Sequence, residues 1–553
     1  MRGGIIDVTV MKNTIRWGSS KGFALPTVMI ASIVMLIVLL SGLVSTSSVS
    51  TSLRQQYYTR LNNEAFASGY TRAQSCLNAF GSATWSNASP LRPDSGCGGG
   101  AQCTTGPTCY VLSTNNLKTT FTVNGATSNS DGSYTIPITS EVQLFRTSQT
   151  TTPSQSLPNT GYARAVPLYW RAVSAGTRFT CGLTLSTNPT YDKKVKCWGA
   201  NSGLYRLGNK TSDASLVPTD VAADGVLKGL SIKKIESGMS VSCVIASDDN
   251  AYCWGHNGQY GLGDNTTSTR TSPVAVYRSG VLSGLTIKDI AVGLNHIQCV
   301  VASNDRVYCW GENLYGSVGD NTTTPRSAPV AVYSAGVLSG KTISSVSAGA
   351  SSACAVDSTG KVYCWGNGVL GNGSLGSSAV PVAVTSTGAL SGKVVTDVSI
   401  GNGFACALAT DGKAYCWGGN NYGQLGTGNT TASYVPVAVT GLNGISFTQL
   451  TAGNLWACGL TTTGTVYCWG RDGELSGTYV INSTSPLAIN TSGVLAGKTI
   501  TSISAGYEQT CALDTEGKKY CWGGNSSGAF GNGGTTGSIN PVTTFNTWLT
   551  LQY

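Results

Sequence analysis

The stretch FACALATDGKAYCWGGNNYGQLGTG, residues 404–428, decides the fold because its pattern occurs seven times along the chain. The tripeptide Cys-Trp-Gly marks each occurrence, and the repeat length is 52 to 62 residues. Its seven cysteines are Cys197, Cys253, Cys309, Cys364, Cys416, Cys468 and Cys521. A cysteine lies ten positions upstream in six units and sixteen positions upstream in the first: Cys181, Cys243, Cys299, Cys354, Cys406, Cys458 and Cys511. This self-similarity predicts one supersecondary unit repeated seven times.

Each unit has the same order of short apolar runs and turn residues. In the last unit a predicted strand at 499–504 precedes Ala-Gly, and a second strand carries the upstream cysteine. A polar turn at 514–517 leads to a third strand ending in Cys-Trp-Gly, and a Pro-Val strand such as 436–439 completes a unit. Four short strands make a sheet too small to stand alone, whereas seven such sheets arranged radially bury their faces. The predicted fold class is mainly β, with a seven-bladed β-propeller over residues 163–553 and one long N-terminal α-helix.

The composition fits strands and turns, and it argues against catalysis. The 553 residues are 41% hydrophobic and 11% charged, with 71 glycines, which excludes a helical bundle. Of the net charge of +9, residues 163–553 contribute only 24 Lys/Arg against 20 Asp/Glu, unlike the basic stripe of a nucleic-acid binder. Two histidines in the chain argue against zinc or histidine-based catalysis, and no nucleophile–base constellation or phosphate loop is present. We therefore expect no enzyme activity, no metal and no cofactor.

The paired cysteines predict one cross-link per unit. Two strands joined by a short hairpin bring residues ten apart opposite each other, with Cα atoms about 4.5 Å apart, within disulfide range. The predicted pairs are Cys181–Cys197, Cys243–Cys253, Cys299–Cys309, Cys354–Cys364, Cys406–Cys416, Cys458–Cys468 and Cys511–Cys521. Such bonds require an oxidising compartment, and buried free thiols are the alternative.

Three motifs relate the repeat to a known family. The sequences Tyr415-Cys416-Trp417-Gly418, Gly423-Gln424-Leu425-Gly426 and Ile503-Ser504-Ala505-Gly506 resemble the regulator of chromosome condensation repeat. The resemblance covers about residues 163–553 and implies a seven-bladed propeller. That family often has histidine two positions before the first cysteine; here the residues are Phe179, Val241, Ile297, Ser352, Phe404, Trp456 and Gln509. Mostly apolar residues there indicate packing between blades, and we expect the same role for the tryptophan of each Cys-Trp-Gly.

The N-terminal region predicts an exported protein. Residues 23–44 carry no charge and would span roughly 33 Å as a helix, enough to cross a bilayer. Before them Arg2, Lys12, Arg16 and Lys21 outnumber Asp7, so this end is expected to stay in the cytoplasm. The rest of the chain is then outside.

The junction Lys21-Gly22-Phe23-Ala24-Leu25-Pro26-Thr27 resembles the processing site of type IV prepilins. The resemblance implies a leader at 1–22 that prepilin peptidase removes after Gly22, followed by N-methylation of Phe23. The family usually has glutamate at the fifth mature position, where this chain has Thr27. Members of this family that lack the glutamate tend to be minor pilins of the filament tip or of the initiation complex. A plain signal anchor is the alternative, and the start codon is left open between Met1 and Met11.

A small headpiece is predicted to follow the apolar segment. Apolar residues at helical spacing extend one helix over 23–80, which packs on strands at 111–112, 121–123, 134–138 and 142–145. Together with residues 81–146 this makes a pilin-like α+β headpiece, in which Cys76, Cys97, Cys103 and Cys109 form two disulfides of unknown pairing. The Ser/Thr/Pro-rich residues 147–162 are predicted to be a linker. Ring closure is left open, with 548–553 a candidate to complete a blade with 165–170.

Ligand-binding candidates come from the loops that follow Cys-Trp-Gly and from departures from the repeat. They are Tyr205, Tyr260, Tyr315, Tyr422, Asn257, Asn313, Asn421, Lys193, Lys194 and Arg471. Tyr and Asn suit adaptable contacts with a protein or a glycan. Gly-Asp-Asn at 263–265 and 319–321 is explained more simply by turn chemistry than by calcium.

These features together predict a minor type IV pilin at the filament tip that presents the propeller for adhesion. Expected partners are other pilins, the pilus assembly machinery, prepilin peptidase, and a surface protein or glycan of another cell. The protein would occupy the cytoplasmic membrane before assembly and the cell surface afterwards. One alternative is an anchored scaffold or inhibitor that never enters a filament. Another is a minor pilin that captures DNA, although the charge balance makes nucleic acid an unlikely partner.

Overall fold

A computed structural model describes residues 47–80, 85–86, 88–93, 99, 111–113, 117–128, 134–144, 155–186, 192–471, 482–543 and 547–552. The described residues contain one α-helix, α1 (Ser47–Phe80), and 34 β-strands. Six of these strands form one sheet with the helix packed on it. They are β1 (Leu112–Ser113), β2 (Leu117–Val123), β3 (Thr127–Ser128), β4 (Tyr134–Leu144), β5 (Gln155–Pro167) and the C-terminal strand β34 (Thr547–Gln552). The other 28 form seven antiparallel four-stranded sheets.

The first and second strands of each blade lead outward from the central channel. The channel-lining strands are β6 (Tyr169–Ala175), β10 (Ile232–Ser237), β14 (Ile287–Val292), β18 (Ile343–Ala348), β22 (Val395–Ile400), β26 (Phe447–Ala452) and β30 (Ile500–Ala505). The second strands are β7 (Phe179–Leu185), β11 (Val241–Ala246), β15 (Ile297–Ala302), β19 (Ser352–Asp357), β23 (Phe404–Ala409), β27 (Trp456–Thr461) and β31 (Gln509–Asp514).

The third and fourth strands complete each blade. The third strands are β8 (Val195–Gly199), β12 (Ala251–Gly255), β16 (Val307–Gly311), β20 (Val362–Asn367), β24 (Ala414–Gly418), β28 (Val466–Arg471) and β32 (Lys519–Gly523). The outermost strands are β9 (Ser215–Asp220), β13 (Arg270–Ala275), β17 (Arg326–Ala331), β21 (Ser377–Ala383), β25 (Ser433–Ala438), β29 (Asn482–Ala488) and β33 (Ser538–Thr543). Short 3-10 turns lie at Gly388–Leu390 and Gly493–Leu495. The seven-bladed propeller predicted from the repeat is confirmed.

The tryptophans of Cys-Trp-Gly pack between blades, as predicted. Trp254 is fully buried, and its indole N–H donates to the Arg206 carbonyl of the preceding blade at 2.9 Å. The same donation recurs around the ring from Trp310, Trp365, Trp417 and Trp469, and from Trp198 to the Ala529 carbonyl of the seventh blade. Each indole therefore contributes both apolar burial and one directed hydrogen bond to the boundary between two blades.

All seven predicted disulfides are present. Each joins directly opposite residues of a blade's second and third strands, such as Cys243 and Cys253, with Cα atoms 4.0–4.1 Å apart. In the headpiece, Cys76 is buried and disulfide-bonded. Cys97, Cys103 and Cys109 lie outside the described residues, so the pairing stays a prediction.

The ring closes through side chains and loops, because every blade consists of four consecutive strands. Between the seventh and first blades, Arg178 Nε donates to Glu508 Oε1 at 2.6 Å. Buried Gln509 donates from Nε2 to the carbonyls of Gly176 and Phe179. Gln509 thus bridges two blades at a position where most units have an apolar residue.

The C-terminal strand does not complete a blade, which corrects one expectation from the sequence. Strand β34 pairs with β5 in the headpiece sheet, with Leu549 opposite Ala165 and Thr547 opposite Pro167. The seventh blade already has four strands, whereas β5 has a free edge on the side away from β4. The propeller is therefore an insertion between two neighbouring strands of the six-stranded sheet, and we call this β5–β34 pair the stem.

The headpiece consists of α1 packed on the six-stranded sheet. Phe66, Ala73 and Cys76 of the helix lie in one buried cluster with Phe121 and Ile138 of the sheet. Residues 23–46 of the predicted helix, and with them the leader and the apolar segment, lie outside the described residues. Within the described part of the chain, no helix is both long and apolar enough to cross a membrane.

The predicted strands at 134–138 and 142–145 are not separate. Strand β4 runs without a break from Tyr134 to Leu144, because Ile136, Ile138 and Val142 keep one face buried along its length, and residue 145 lies outside the described residues. Half of the predicted linker 147–162 is also strand, since β5 begins at Gln155. Backbone hydrogen bonds to the eleven residues of β4 hold this polar segment in the sheet, although its side chains supply little apolar surface. Residues 147–154 lie outside the described residues.

A lysine is buried where the seventh blade meets the first. Lys519 is fully buried, and its Nζ lies 3.4 Å from the centre of the Trp198 ring and 5.1 Å from that of Trp170. Other units have Ala or Val at this position of the third strand. Burial holds the pKa of Lys519 well below its usual value, so burial outweighs the attraction of the two rings for the ammonium.

Replacing Lys519 by methionine is expected to stabilise the propeller at pH 7 by at least about 1 kcal/mol, because an apolar side chain of similar length carries no desolvation cost. A lysine with a lowered folded pKa binds fewer protons in the folded than in the unfolded state. Its penalty is therefore present at neutral pH and shrinks as pH rises toward the unfolded pKa. Urea unfolding at pH 6, 7.5 and 9 should show the advantage of Lys519→Met narrowing with pH. An advantage that is constant across this range would contradict the charge-based explanation.

Candidate functional site

The propeller has two loop faces that carry different candidate residues. We call upper the face formed by the loops between first and second strands and between third and fourth strands of each blade. The lower face carries the hairpins between second and third strands and the connections between blades. Of the predicted ligand residues, the tyrosines, the asparagines and Arg471 lie in upper-face loops, whereas Lys193 and Lys194 lie in the lower-face hairpin of blade one. The structure therefore does not bring them together.

The predicted asparagines brace their own loops. Asn257 and Asn313 are fully buried. Asn257 Nδ2 donates to the Thr266 carbonyl, and its Oδ1 accepts from the Leu262 N–H, both at 3.0 Å. The equivalent residue of blade five is Asn420, with the same bonds, while the predicted Asn421 is exposed. Asn201 and Asn525 repeat the arrangement. These buried asparagines are structural and unavailable to a ligand.

Alanine at Asn257 is expected to lower the free energy of unfolding by about 2–3 kcal/mol, because it leaves buried backbone groups without their partner. Alanine at the exposed Asn421, which follows the buried Asn420 of blade five, should change the free energy of unfolding by less than about 0.5 kcal/mol. Chemical denaturation of both variants checks the pair. Equal effects of the two substitutions would mean that the bracing contributes nothing.

The Gly-Asp-Asn turns are held by arginine. Asp264 accepts from Arg270 Nε at 2.9 Å and from the backbone N–H and hydroxyl of Thr266. Asp320 and Arg326 repeat this pair in blade three. The carboxylates are therefore occupied within the turn, in agreement with turn chemistry. Within the described residues, no cluster of three or more His, Cys, Asp or Glu side chains has the geometry of a metal site.

The four predicted tyrosines fall into two classes that the sequence pattern did not separate. Tyr205 and Tyr260 have left-handed backbones, with φ of 52° and 62°. Blades three, four, five and seven have glycine at this position, all with positive φ: Gly316, Gly368, Gly423 and Gly528. Tyr315 and Tyr422 precede such glycines. A bulky residue at positive φ is strained, and strain of this kind is retained where a function requires the side chain.

Arg206 and the two histidines lie close together on the upper face, and Arg206 and His256 belong to the same loops as these two tyrosines. Arg206 follows Tyr205, and its Nε donates to the Met239 carbonyl at 3.0 Å. The neighbouring Ser240 Oγ lies 3.4 Å from His296 Nδ1, and the rings of His296 and His256 have centroids 5.5 Å apart. The only two histidines of the chain thus converge from separate blades.

Crowding of these groups is visible in their pKa values. Burial, together with the neighbouring His256 and Arg206, lowers the pKa of His296 to about 4. Burial and the charge of Arg178 lower the pKa of Arg206 to about 10. The basic groups therefore repel one another, and no carboxylate among the described residues forms an ion pair with Arg206 or either histidine.

The remaining predicted residues have other surroundings. Lys193 and Lys194 line a cavity of about 420 Å³ with Lys210 and Asp220. The Arg471 guanidinium lies 5.1 Å from the centre of the Tyr422 ring. The sequence analysis did not select Arg206, His256 or His296. The presence of only two histidines in the chain, both in upper-face loops, could have pointed to the latter two.

The central channel is a second polar feature. It has a volume of about 670 Å³ and is lined by the first strands. Lys234 pairs with Asp289 at 2.6 Å and with Glu236 at 3.2 Å. Burial raises the pKa of Asp397, which faces the same channel, to about 6. These groups largely neutralise one another.

Seven disulfide-linked four-stranded blades around a central channel define a seven-bladed β-propeller. The sequence profile of the RCC1-like domain matches residues 194–550. The chain belongs to this family.

Two relatives of known identity are similar to this chain over part of its length. The chain is 30% identical over 329 residues to the ultraviolet-B receptor UVR8 of Arabidopsis thaliana, covering 58% of this chain and 72% of UVR8. It is 27% identical to the human E3 ubiquitin-protein ligase HERC2 over 62% of this chain, which spans only 7% of HERC2.

Solved structures show the same fold. Prp20p of Saccharomyces cerevisiae superposes with a TM-score of 0.53 at 20% identity, covering 68% of this chain and 88% of Prp20p. Human WBSCR16 gives 0.52 at 18% identity, covering 61% and 89%. The seven disulfides are of the kind that persists in an oxidising compartment such as the outside of the cell.

Proposed function

We propose that this protein is a minor type IV pilin that displays its propeller at the filament tip as an adhesin. The observation that carries the proposal is the insertion of the ring between β5 and β34, in the sheet on which α1 packs. Propeller and helix are thereby parts of one continuous architecture. The helix follows the apolar segment 23–44 and the junction Lys21-Gly22-Phe23.

The geometry suits transmission of force from a bound surface to a filament. The ring is attached through two antiparallel strands that enter the sheet side by side at Pro167 and Thr547. One disulfide in every blade limits how far a blade can extend under load. A propeller of this size on every subunit would crowd a helical shaft, so one copy at the tip fits best.

Processing at Gly22 tests the pilin part of the proposal. Gly22→Asp should leave the leader attached and abolish surface display, because prepilin peptidase cleaves after this glycine in the family that the junction resembles. Gly18→Asp, in the same leader, is the matched control and should be processed normally. Mass spectrometry of the N-terminus and surface immunolabelling are the readouts. Normal display of the Gly22 variant would favour the anchored scaffold or inhibitor instead.

Adhesion is tested separately. Cells that display the full chain should bind a partner-cell surface, and cells that display a chain lacking the ring residues 168–546 should not. Immunogold labelling should place the propeller at filament ends. Labelling along the whole shaft would contradict the tip location, and binding that depends steeply on salt and is competed by DNA would favour DNA capture.

A further inference from the structure

Three upper-face positions in each blade have a fixed backbone and a variable side chain. The residue before the second strand accepts a backbone hydrogen bond from the residue after Cys-Trp-Gly, as Ser240 does from His256. This bond is present in all seven blades. In the six blades whose loop is described, the third position offers its carbonyl to the tryptophan of the next blade, as Arg206 does to Trp254; in blade six this position lies outside the described residues. At these positions the structural hydrogen bonds use main-chain atoms, so the side chains can vary without loss of these bonds, and a binding function can select them.

Ionisable side chains at these positions concentrate in the first three blades. Blades one to three have five of them, Arg178, Arg206, His256, His296 and Glu312, whereas blade six has Arg471 and blades four and five have only uncharged residues. Glu508 of blade seven pairs with Arg178. The backbone N–H of Glu312 donates to the His296 carbonyl, and burial raises the pKa of the Glu312 carboxyl. The asymmetry marks one sector of an otherwise repetitive ring.

The strained tyrosines mark the same sector independently. In three of the four blades that have glycine here, an added Cβ would contact the next blade's outer strand, for example Gly316 against Ala379 at 2.4 Å and Gly528 against Leu216 at 2.5 Å. At Gly368 of blade four it would meet no atom within 4 Å. Blades one and two accommodate Tyr205 and Tyr260 at this position, and both rings are half-buried. Packing alone does not require them, because glycine satisfies the turn elsewhere in the ring.

We propose that Tyr205, Arg206, His256, Tyr260 and His296, together the Arg206 site, bind a saccharide that carries a carboxylate. A carboxylate receives a charge-assisted hydrogen bond from the Arg206 guanidinium, which forms no ion pair with a carboxylate among the described residues, and the imidazoles can donate further hydrogen bonds. The faces of sugar rings pack on tyrosine, whose hydroxyl supplies a further hydrogen bond. The proposal rests on the proposed function in so far as it supplies the adhesin with its ligand class.

Titration of the purified full-length chain in detergent with oligogalacturonate, and with the methyl ester of the same oligosaccharide, tests the site. Wild type should bind the acid and bind the ester at least about tenfold more weakly. Arg206→Gln should lower affinity for the acid by about tenfold. Lys413→Gln, which removes an exposed charge on the lower face, is the matched control and should bind like wild type.

Tyr260→Gly separates binding from folding. Glycine relaxes the left-handed backbone, so this variant should bind more weakly while its thermal stability is equal to or above that of wild type. Tyr315→Ala, an exposed tyrosine of the next blade, should leave binding unchanged. A Tyr260→Gly variant that loses stability and keeps binding would make the tyrosine structural and overturn the proposal.

Three further outcomes would contradict the Arg206 site: equal binding of acid and ester, unchanged binding by Arg206→Gln, or tighter binding of a polyglutamate peptide or DNA than of the saccharide. The cell assay distinguishes this failure from that of the proposed function. Cells that display Arg206→Gln and still adhere like wild type retain the adhesin but lose this ligand class. If the purified chain binds the oligosaccharide but cells do not display it on their surface, the Arg206 site stands and the proposed adhesin function fails.

Discussion

Reduction of the seven disulfides is expected to unfold the propeller at 37 °C. Each bond closes a loop of about ten residues and contributes about 2–3 kcal/mol by restricting the unfolded chain. Seven such contributions sum to about 14–21 kcal/mol, more than the net stability of about 5–15 kcal/mol that a typical domain has. The short strands and turn-rich loops offer little to replace them.

Circular dichroism and limited proteolysis of the full chain, with and without dithiothreitol, measure this effect. The double variant Cys406→Ala/Cys416→Ala removes one bond and serves as control. It should lose about 2–3 kcal/mol and remain folded, because six blades keep their cross-links. A reduced protein that keeps its native spectrum and protease resistance at 37 °C would show that burial and strand pairing suffice.

The architecture of the ring could be predicted from the sequence because it depends on local repetition. The spacing of Cys243 and Cys253 specifies a hairpin register, and Cys-Trp-Gly places one large apolar side chain in every blade boundary. The partner of β34 could not be predicted in this way. Strand pairing over hundreds of residues depends on which edge the rest of the fold leaves free, and composition does not report that. Residues 155–162 were misjudged for the same reason.

The candidate site was only partly predictable. Recurring Asn257 and Asn313 resembled ligand residues because loop asparagines serve both purposes, and only burial distinguishes a brace from a contact. Left-handed backbone at Tyr205 and Tyr260 is not visible in composition. When the loops are aligned on the apolar residue and glycine that end each of them, as at Leu262-Gly263, Tyr205 and Tyr260 fall where blades three, four, five and seven have glycine. Residues that recur in most blades, such as the loop asparagines, therefore indicate structural roles, whereas residues that depart from the repeat, such as Tyr205 and Tyr260, indicate the candidate site.

Deletion of residues 547–553 is expected to leave the propeller folded and to destabilise its attachment. The ring needs no strand from outside, since each blade has four of its own and the boundary between the seventh and first blades is closed by Arg178, Glu508 and Gln509. Strand β5 would lose six paired residues and become an exposed edge. We expect all seven ring disulfides to form, protease cleavage within 145–167 to rise by about tenfold or more, and concentration-dependent association through the unpaired edge.

Removal of Tyr553 alone is the matched control for this deletion, because the last paired residue is Gln552. Proline at the consecutive positions Trp548 and Leu549 is a second test, since one of two neighbouring N–H groups in β34 faces β5 and its loss should reproduce the deletion in part. Mass spectrometry of proteolytic fragments and size-exclusion chromatography at two concentrations give the readouts. If the truncated chain stays monomeric and β5 stays protected, β5 does not depend on β34 for its protection. Loss of ring protection instead would show that β34 closes the propeller after all, and the separation of ring from stem would be wrong.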